Sequence, residues 1–364
     1  MILYIINLFF LLYIIFLSNL SNNHSPIHTI DKCYNLTSHT PRNVHNLHIN
    51  NIDVVIGMGD SITAGFGIKG TIGLYHEYRG RSWSMGGDKG QLTLPNLIRY
   101  YNPNIRGYSI GSHKLEVCYD TKCNTEYYPK LDNYNSAQSG STTNNLIHQI
   151  EYLKKRVNVS DKIDKWKLIT LLIGANDLCG ICSNNDFQPE LFRKNLREAL
   201  FELKNNFPKS FVNMVLIFKV TDAYILSRDT FYCRALHTIF PVECPCVFNL
   251  MNGKKDRHII DYYTFIYQNI TRDVVYEVNT KDPSGNFTIT IQPMFSMANI
   301  SDFTIDFLST LDCFHPSLEA HQSMAISLWN NLFLHPLKKE TFIQYPDLKC
   351  PQNNSILYSN YETS

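Results

Sequence analysis

Four short apolar runs, "IDVVIGM" from Ile52, "KLITLLIG" from Lys167, "FVNMVLIFKV" from Phe211 and "NFTITIQPMF" from Asn286, narrow the fold more than any other feature of the chain. Each is continuous and rich in β-branched residues, the pattern of a strand buried on both faces. Segments of helical spacing separate them. "TLPNLIRYYNP" puts Leu94, Leu97, Ile98 and Tyr101 on one face and stops at Pro103. "STTNNLIHQIEYLKKRV" places Leu146, Ile150, Leu153 and Val157 together, with hydroxyl residues Ser141 to Thr143 available to cap its start. "PELFRKNLREALFELKNNFP" turns Leu191, Phe192, Leu196, Ala199, Leu200 and Leu203 inward, and "LEAHQSMAISLWNNLF" does so with Leu318, Met324, Ala325, Leu328 and Leu332. Strands alternating with helices in this way predict an α/β domain with a mainly parallel central sheet.

The chain has 364 residues, 44% of them hydrophobic, which suits one large core. Its formal net charge of +1 gives no bulk electrostatic reason to bind nucleic acid and leaves small neutral or lipid-like substrates open. Residues 1–20 carry an apolar run that reads as a signal peptide; with no Lys or Arg ahead of the run, a signal anchor is the alternative. Ten cysteines, an even set, fit disulfides in an oxidising compartment, with the pairing left open. Glycosylation sequons stand at Asn23, Asn35, Asn158, Asn269, Asn286, Asn299 and Asn353. A secreted, extracellular protein is therefore expected, or an N-terminally anchored one. Cys179/Cys182 and Cys244/Cys246 do not repeat one spacing, so a zinc site is not expected. Residues 21–51 read as a loosely ordered lead-in, 52–340 as the folded domain, 224–256 as a Cys- and Pro-rich surface insertion, and 341–364 as a polar tail.

Four motifs fall just after strand patterns, where ligands bind in open α/β sheets. In "GMGDSITAGFG" the glycines allow Ser61 to be turned outward at the end of the first strand, with Asp60 bracing the turn. "NSAQSGSTT" places Gly140 before a helix start, where a backbone N–H can approach a substrate oxygen. "LLIGANDLC" offers the Asn176 amide and the Asp177 carboxyl, and "DCFHPS" puts Asp312 three residues before His315, a spacing at which a bend can bring carboxylate and imidazole together.

In this order the four motifs resemble the blocks of the SGNH (GDSL-type) esterases and lipases. "EYRGRSWSMGGD", "WKLITLLIGANDLC" and "HPSLEAHQSMAISLWNNLF" make the chain similar to the phospholipase B branch of that family from Asp53 to about Lys338. The sequence departs from it in having Ile62 where Leu is commoner and a less alanine-rich stretch around Gly140. The resemblance implies a three-layer α/β/α SGNH-hydrolase fold and hydrolysis of phospholipid, lysophospholipid or another lipid ester at a membrane or micelle surface, without cofactor or metal. It implies Ser61 as nucleophile, His315 as base, Asp312 as the acid holding the imidazole with Asp177 as the alternative, and an oxyanion hole of Ser61, Gly140 and Asn176. A short-chain or carbohydrate-linked acyl esterase and a non-catalytic lipid-binding glycoprotein are the competing expectations.

Overall fold

Strands β1 (Val54–Gly59), β4 (Lys167–Leu172), β5 (Ser210–Val215) and β6 (Phe287–Gln292) form one parallel sheet in the order β1-β4-β5-β6. β2 (His76–Glu77) and β3 (His113–Lys114) form a separate antiparallel ribbon. These assignments come from a computed structural model that describes residues 30–118, 123, 126–157, 164–182, 188–239, 243–249, 252–280 and 284–359. The expected strands are all present. Every residue of the four parallel strands is buried, which accounts for their continuous apolar pattern. Along its outer edge β1 pairs first with Arg106 and then with Asn135, so loop segments finish the sheet on that side.

The helices used below are α1 (Ser61–Ala64), α2 (Leu94–Tyr101), α3 (Leu146–Val157), α4 (Ala175–Gly180), α5 (Pro189–Asn206), α6 (Phe231–Ile239), α7 (Gly253–Thr280) and α8 (Leu318–Leu332). α3, α5 and α7 pack side by side in one layer, and α2 packs with α8 in another. The sheet between them completes the three-layer α/β/α arrangement. Capping follows the sequence: Thr93 accepts the Asn96 N–H at the start of α2, Thr142 and Asn145 form a capping box ahead of α3, and Ser317 accepts the Ala320 N–H at the start of α8.

Two stretches differ from expectation at the chain ends. Within the lead-in, Val44, Leu47 and Ile49 are fully buried, and Cys33 is bonded to Cys350. The polar tail is tied down in turn: the Leu357 N–H donates to the Leu47 carbonyl, and Trp329 and Asn330 of α8 donate to the carbonyls of Lys349 and Asp347. A few apolar anchors and the satisfied backbone outweigh the polar composition of both stretches.

The stretch read as a Cys- and Pro-rich surface insertion contains α6 and leads into α7, which has 28 residues. The buried stripe of α7 runs through Ile260, Thr264, Tyr267, Thr271, Val274 and Val278, and the two threonines disguise it. Their hydroxyls donate to the carbonyls of Ile260 and Tyr267, each 2.8 Å away, so they lie in the core without a lost hydrogen bond. The first 29 residues, Asn23 and Asn158 lie outside the described residues. No helix among the described residues is long and apolar enough to cross a membrane.

The Cys33–Cys350 bond closes a loop of 317 residues, and its main effect is to restrict the unfolded chain. The double variant Cys33→Ser/Cys350→Ser should lose about 2–5 kcal/mol of unfolding stability. Denaturant unfolding will show a lowered midpoint, with the Ser61 site intact well below the transition.

Candidate active site

β1 ends on Gly59, whose φ of +144° suits glycine and whose added Cβ would stand 2.3 Å from the Leu172 carbonyl oxygen. The chain then turns into α1. Asp60 caps this short helix by accepting the Ile62 N–H at 3.0 Å, and Ser61 occupies the first helical position at the carboxyl end of the sheet. Burial pushes the Asp60 carboxyl up to about 6, against the hydrogen bond from Ile62. Asp60 thus serves the turn, as its sequence position suggests.

Ser61, His315 and Asp312 meet. The Ser61 hydroxyl lies 2.7 Å from His315 Nε2, and His315 Nδ1 lies 2.6 Å from Asp312 Oδ2. Asp312 Oδ1 accepts the N–H groups of Phe314 and His315, both at 3.0 Å, so the carboxylate is fixed by its own turn. That turn closes because Cys313 adopts a left-handed φ of +52°, held by its bond to Cys233. This is the bend the Asp-x-x-His spacing requires. All three side chains are buried.

Asp177 faces elsewhere. It accepts the Thr143 hydroxyl at 2.6 Å and the Thr143 N–H, linking α4 to the start of the α3 segment, and burial pushes its carboxyl up to about 6. Of the two aspartates weighed for the imidazole, the structure brings only Asp312 to it.

Gly140 has a φ of +76°, and an added Cβ would stand 2.5 Å from the Cys118 carbonyl oxygen. The N–H groups of Ser61 and Gly140 find no acceptor among the described residues. Asn176 Nδ2 donates to the Ser141 carbonyl at 2.9 Å. That bond uses one amide hydrogen, orients the group and leaves the second hydrogen free to donate.

Sequence reasoning missed Glu243. It stands beside the catalytic-type pair: one ligand atom each from Glu243, Asp312 and His315 lie within 4.8 Å of one another. This is the one cluster among the described residues that could hold a cation, although both His315 nitrogens already have partners. Burial raises the Glu243 carboxyl. At His315 burial disfavours the imidazolium, but the Asp312 charge and hydrogen bond, with further charge from Glu243 and Asp60, outweigh it and raise the ring above its ordinary value. Asp312 is correspondingly lowered, its burial outweighed by His315. An acid flanked by aspecific residues, just before Cys244, gave no signal in the sequence.

Beside this group an apolar cavity of about 120 Å³ is lined by Ile62, Phe218, Phe295, Phe303, Phe307 and Phe314, among others. Ile62 follows Ser61, and Phe314 and Pro316 flank His315, so the cavity is lined by the chain neighbours of both residues, though by neither residue itself.

The sequence pattern of the GDSL-like lipase/acylhydrolase family matches residues 55–328, and the chain belongs to that family. The family is one of ester hydrolases. The chain is 31% identical over 350 residues to the mouse (Mus musculus) protein named phospholipase B1, membrane-associated, covering 91% of this chain and 23% of that protein. Its rat (Rattus norvegicus) counterpart is 32% identical over 345 residues, covering 89% of this chain and 23% of that protein. The chain thus spans about a quarter of the length of the relatives it matches.

A base must be neutral to take a proton, so the acid limb of kcat/KM for ester hydrolysis should lie above that of an ordinary histidine. Glu243→Gln removes a negative charge that favours the imidazolium. It should move the limb to lower pH, as read from a kcat/KM profile on a soluble ester.

Proposed function

We propose that this protein is a secreted phospholipase B-type hydrolase that releases fatty acids from phospholipids and lysophospholipids through an acyl-Ser61 intermediate. The observation that carries the reading is the hydrogen-bonded series Ser61–His315–Asp312, with a phenylalanine-rich cavity lined by the chain neighbours of Ser61 and His315. The likeness to phospholipase B1 supports it. His315 takes the Ser61 proton as Oγ attacks the ester carbonyl, and then gives it to the leaving alcohol. Asp312 holds the ring so that Nε2 faces Ser61. The oxyanion is met by the N–H groups of Ser61 and Gly140 and the Asn176 amide, each such donor contributing about 3 kcal/mol to the barrier reduction. Water then enters along the same path, activated by His315, and frees the acyl group.

Apolar burial favours longer acyl chains by about 0.8 kcal/mol per methylene, or about fourfold in kcat/KM, until the groove is full. Monomeric esters of increasing length should therefore show a rising series, and lysophosphatidylcholine should yield free fatty acid by mass spectrometry. A maximum at acetyl with no release from lysophosphatidylcholine selects the short-chain esterase. Ser61→Ala should abolish turnover in a folded protein, and Asp312→Asn should reduce kcat far more than Asp177→Asn, since Asp177 does not reach the imidazole. If Ser61→Ala retains activity, the assignment of the nucleophile is wrong.

We also propose that the protein is exported. Five disulfides pair all ten cysteines, and the sequon residues Asn35, Asn269, Asn286, Asn299 and Asn353 are all exposed. Protein from a secreting eukaryotic host should lose mass on glycosidase treatment; an unchanged mass contradicts the proposal.

A further inference from the structure

A second cluster of buried ionisable groups lies outside the Ser61 site, around the β2/β3 ribbon. Glu77, Arg79 and Asp132 are at most 1% exposed and His113 is 6% exposed. Arg79 donates through Nε and Nη2 to Glu77 Oε2 at 3.1 and 2.8 Å, and its Nε also lies 3.2 Å from Asp132 Oδ1. His113 Nε2 is 2.9 Å from Asp132 Oδ1, while its Nδ1 faces the Lys114 carbonyl at 2.7 Å. Both ring nitrogens of His113 face oxygen atoms, and Arg79 lies between the two carboxylates.

Taking charges out of water costs several kcal/mol per ion, and such clusters are often no more stable than apolar replacements. Its contacts suggest what the cluster does. Glu77 Oε1, the oxygen not used by Arg79, accepts the Ser139 hydroxyl at 2.5 Å. Arg79 Nη1 donates to the Asn135 carbonyl, and Asn135 Nδ2 donates to the Thr63 carbonyl within α1. The Ser139 carbonyl takes the Cys118 N–H at 2.8 Å. The cluster therefore grips the segment 135–139 that delivers Gly140, and links it to the helix that carries Ser61. None of the four ionisable groups lines the apolar cavity.

We infer that Glu77, held in place by Arg79, is a positioning residue for the oxyanion site: by accepting the Ser139 hydroxyl it sets where the adjacent Gly140 N–H points. The inference rests on the hydrolase reading above and on the role given there to Gly140. The Gly140 N–H lies in the plane of the Ser139–Gly140 peptide, so whatever fixes Ser139 aims it. Gly140 has no side chain of its own to anchor it, so the neighbouring serine is the first point at which the loop can be fixed. Displacing an oxyanion donor by about an ångström is enough to cost one to two orders of magnitude in rate.

Ser139→Ala removes the hydroxyl while leaving the ion cluster its mutual partners. It is compared with the parent and with Ser139→Thr, which keeps a hydroxyl, all normalised by fluorophosphonate titration of Ser61. On a soluble monomeric ester, Ser139→Ala should lower kcat about ten- to a hundredfold with KM changed less than about threefold. A boronic acid that forms a tetrahedral adduct on Ser61 should lose affinity by the same factor, and Ser139→Thr should recover most of both losses. Should Ser139→Thr fold poorly, Glu77→Gln supplies the second variant, expected to lower kcat and boronate affinity in parallel. Unchanged kcat and boronate affinity in Ser139→Ala overturns the inference while leaving the hydrolase reading standing. So does a fall in kcat without a matching loss of boronate affinity. Parent protein that neither hydrolyses the ester nor labels at Ser61 overturns both.

Discussion

A parallel strand that ends in a turn leaves backbone groups short of ladder partners, and at the end of β1 one side chain, together with the Gln138 N–H, supplies them. Gln149 of α3 accepts the Gly59 N–H at 2.9 Å and donates to the Gly59 carbonyl at 2.7 Å, so its amide acts as one further residue of strand. The same Nε2 lies 3.2 Å from the Ser141 hydroxyl. The end of the strand before Ser61, the loop that carries Gly140 and the helix behind them are thereby held by one fully buried group. A glutamine on the buried face of α3 looks misplaced in the hydrophobic pattern, but paired on both sides it costs little and specifies the geometry.

The remaining elements of the site are fixed covalently. Cys179, at the end of the turn that presents Asn176, is bonded to Cys244, the neighbour of Glu243, and Cys182 is bonded to Cys246. Cys313, between Asp312 and His315, is bonded to Cys233 of α6. The insertion is thus a wall of the site, joined to it from two sides. The left-handed backbone at Cys313 and Cys244 would be unfavourable in a free loop by about 1–2 kcal/mol each, and the cross-links hold both residues in place.

What could be read in advance follows from how local each signal is. The buried strands, α2, α3, α5 and α8 carry their own periodicity, and Ser61, Asn176, Asp312 and His315 each sit in a motif a few residues long. The fixing of Asp312 by the backbone of its own turn is likewise local, and the spacing announced it. Helix α7 was not legible because its stripe contains hydroxyls whose partners lie one turn back. Glu243 and the Glu77 cluster were not legible because their partners are distant in the sequence: Glu77 meets Ser139, and Glu243 meets Asp312, only after the chain has folded. Composition misled at both ends, where three apolar residues and a disulfide decide the packing of otherwise polar stretches.

The Cys33–Cys350 bond lies at the opposite pole from Ser61. Cys33 accepts from Tyr100 at the end of α2, Asn102 reaches the carbonyl of Ile52 just before β1, and Val44 bonds to Gly285 just before β6, all at the foot of the sheet. His45 and Ser359 are joined 2.7 Å apart at the same pole. The stretches around Cys33 and Cys350 therefore meet at the foot of the sheet, while Ser61 follows β1 at the other end of its strands. The clamp and the groups around Ser61 share no residue, so the frame is closed at one end of the sheet and the site is built at the other.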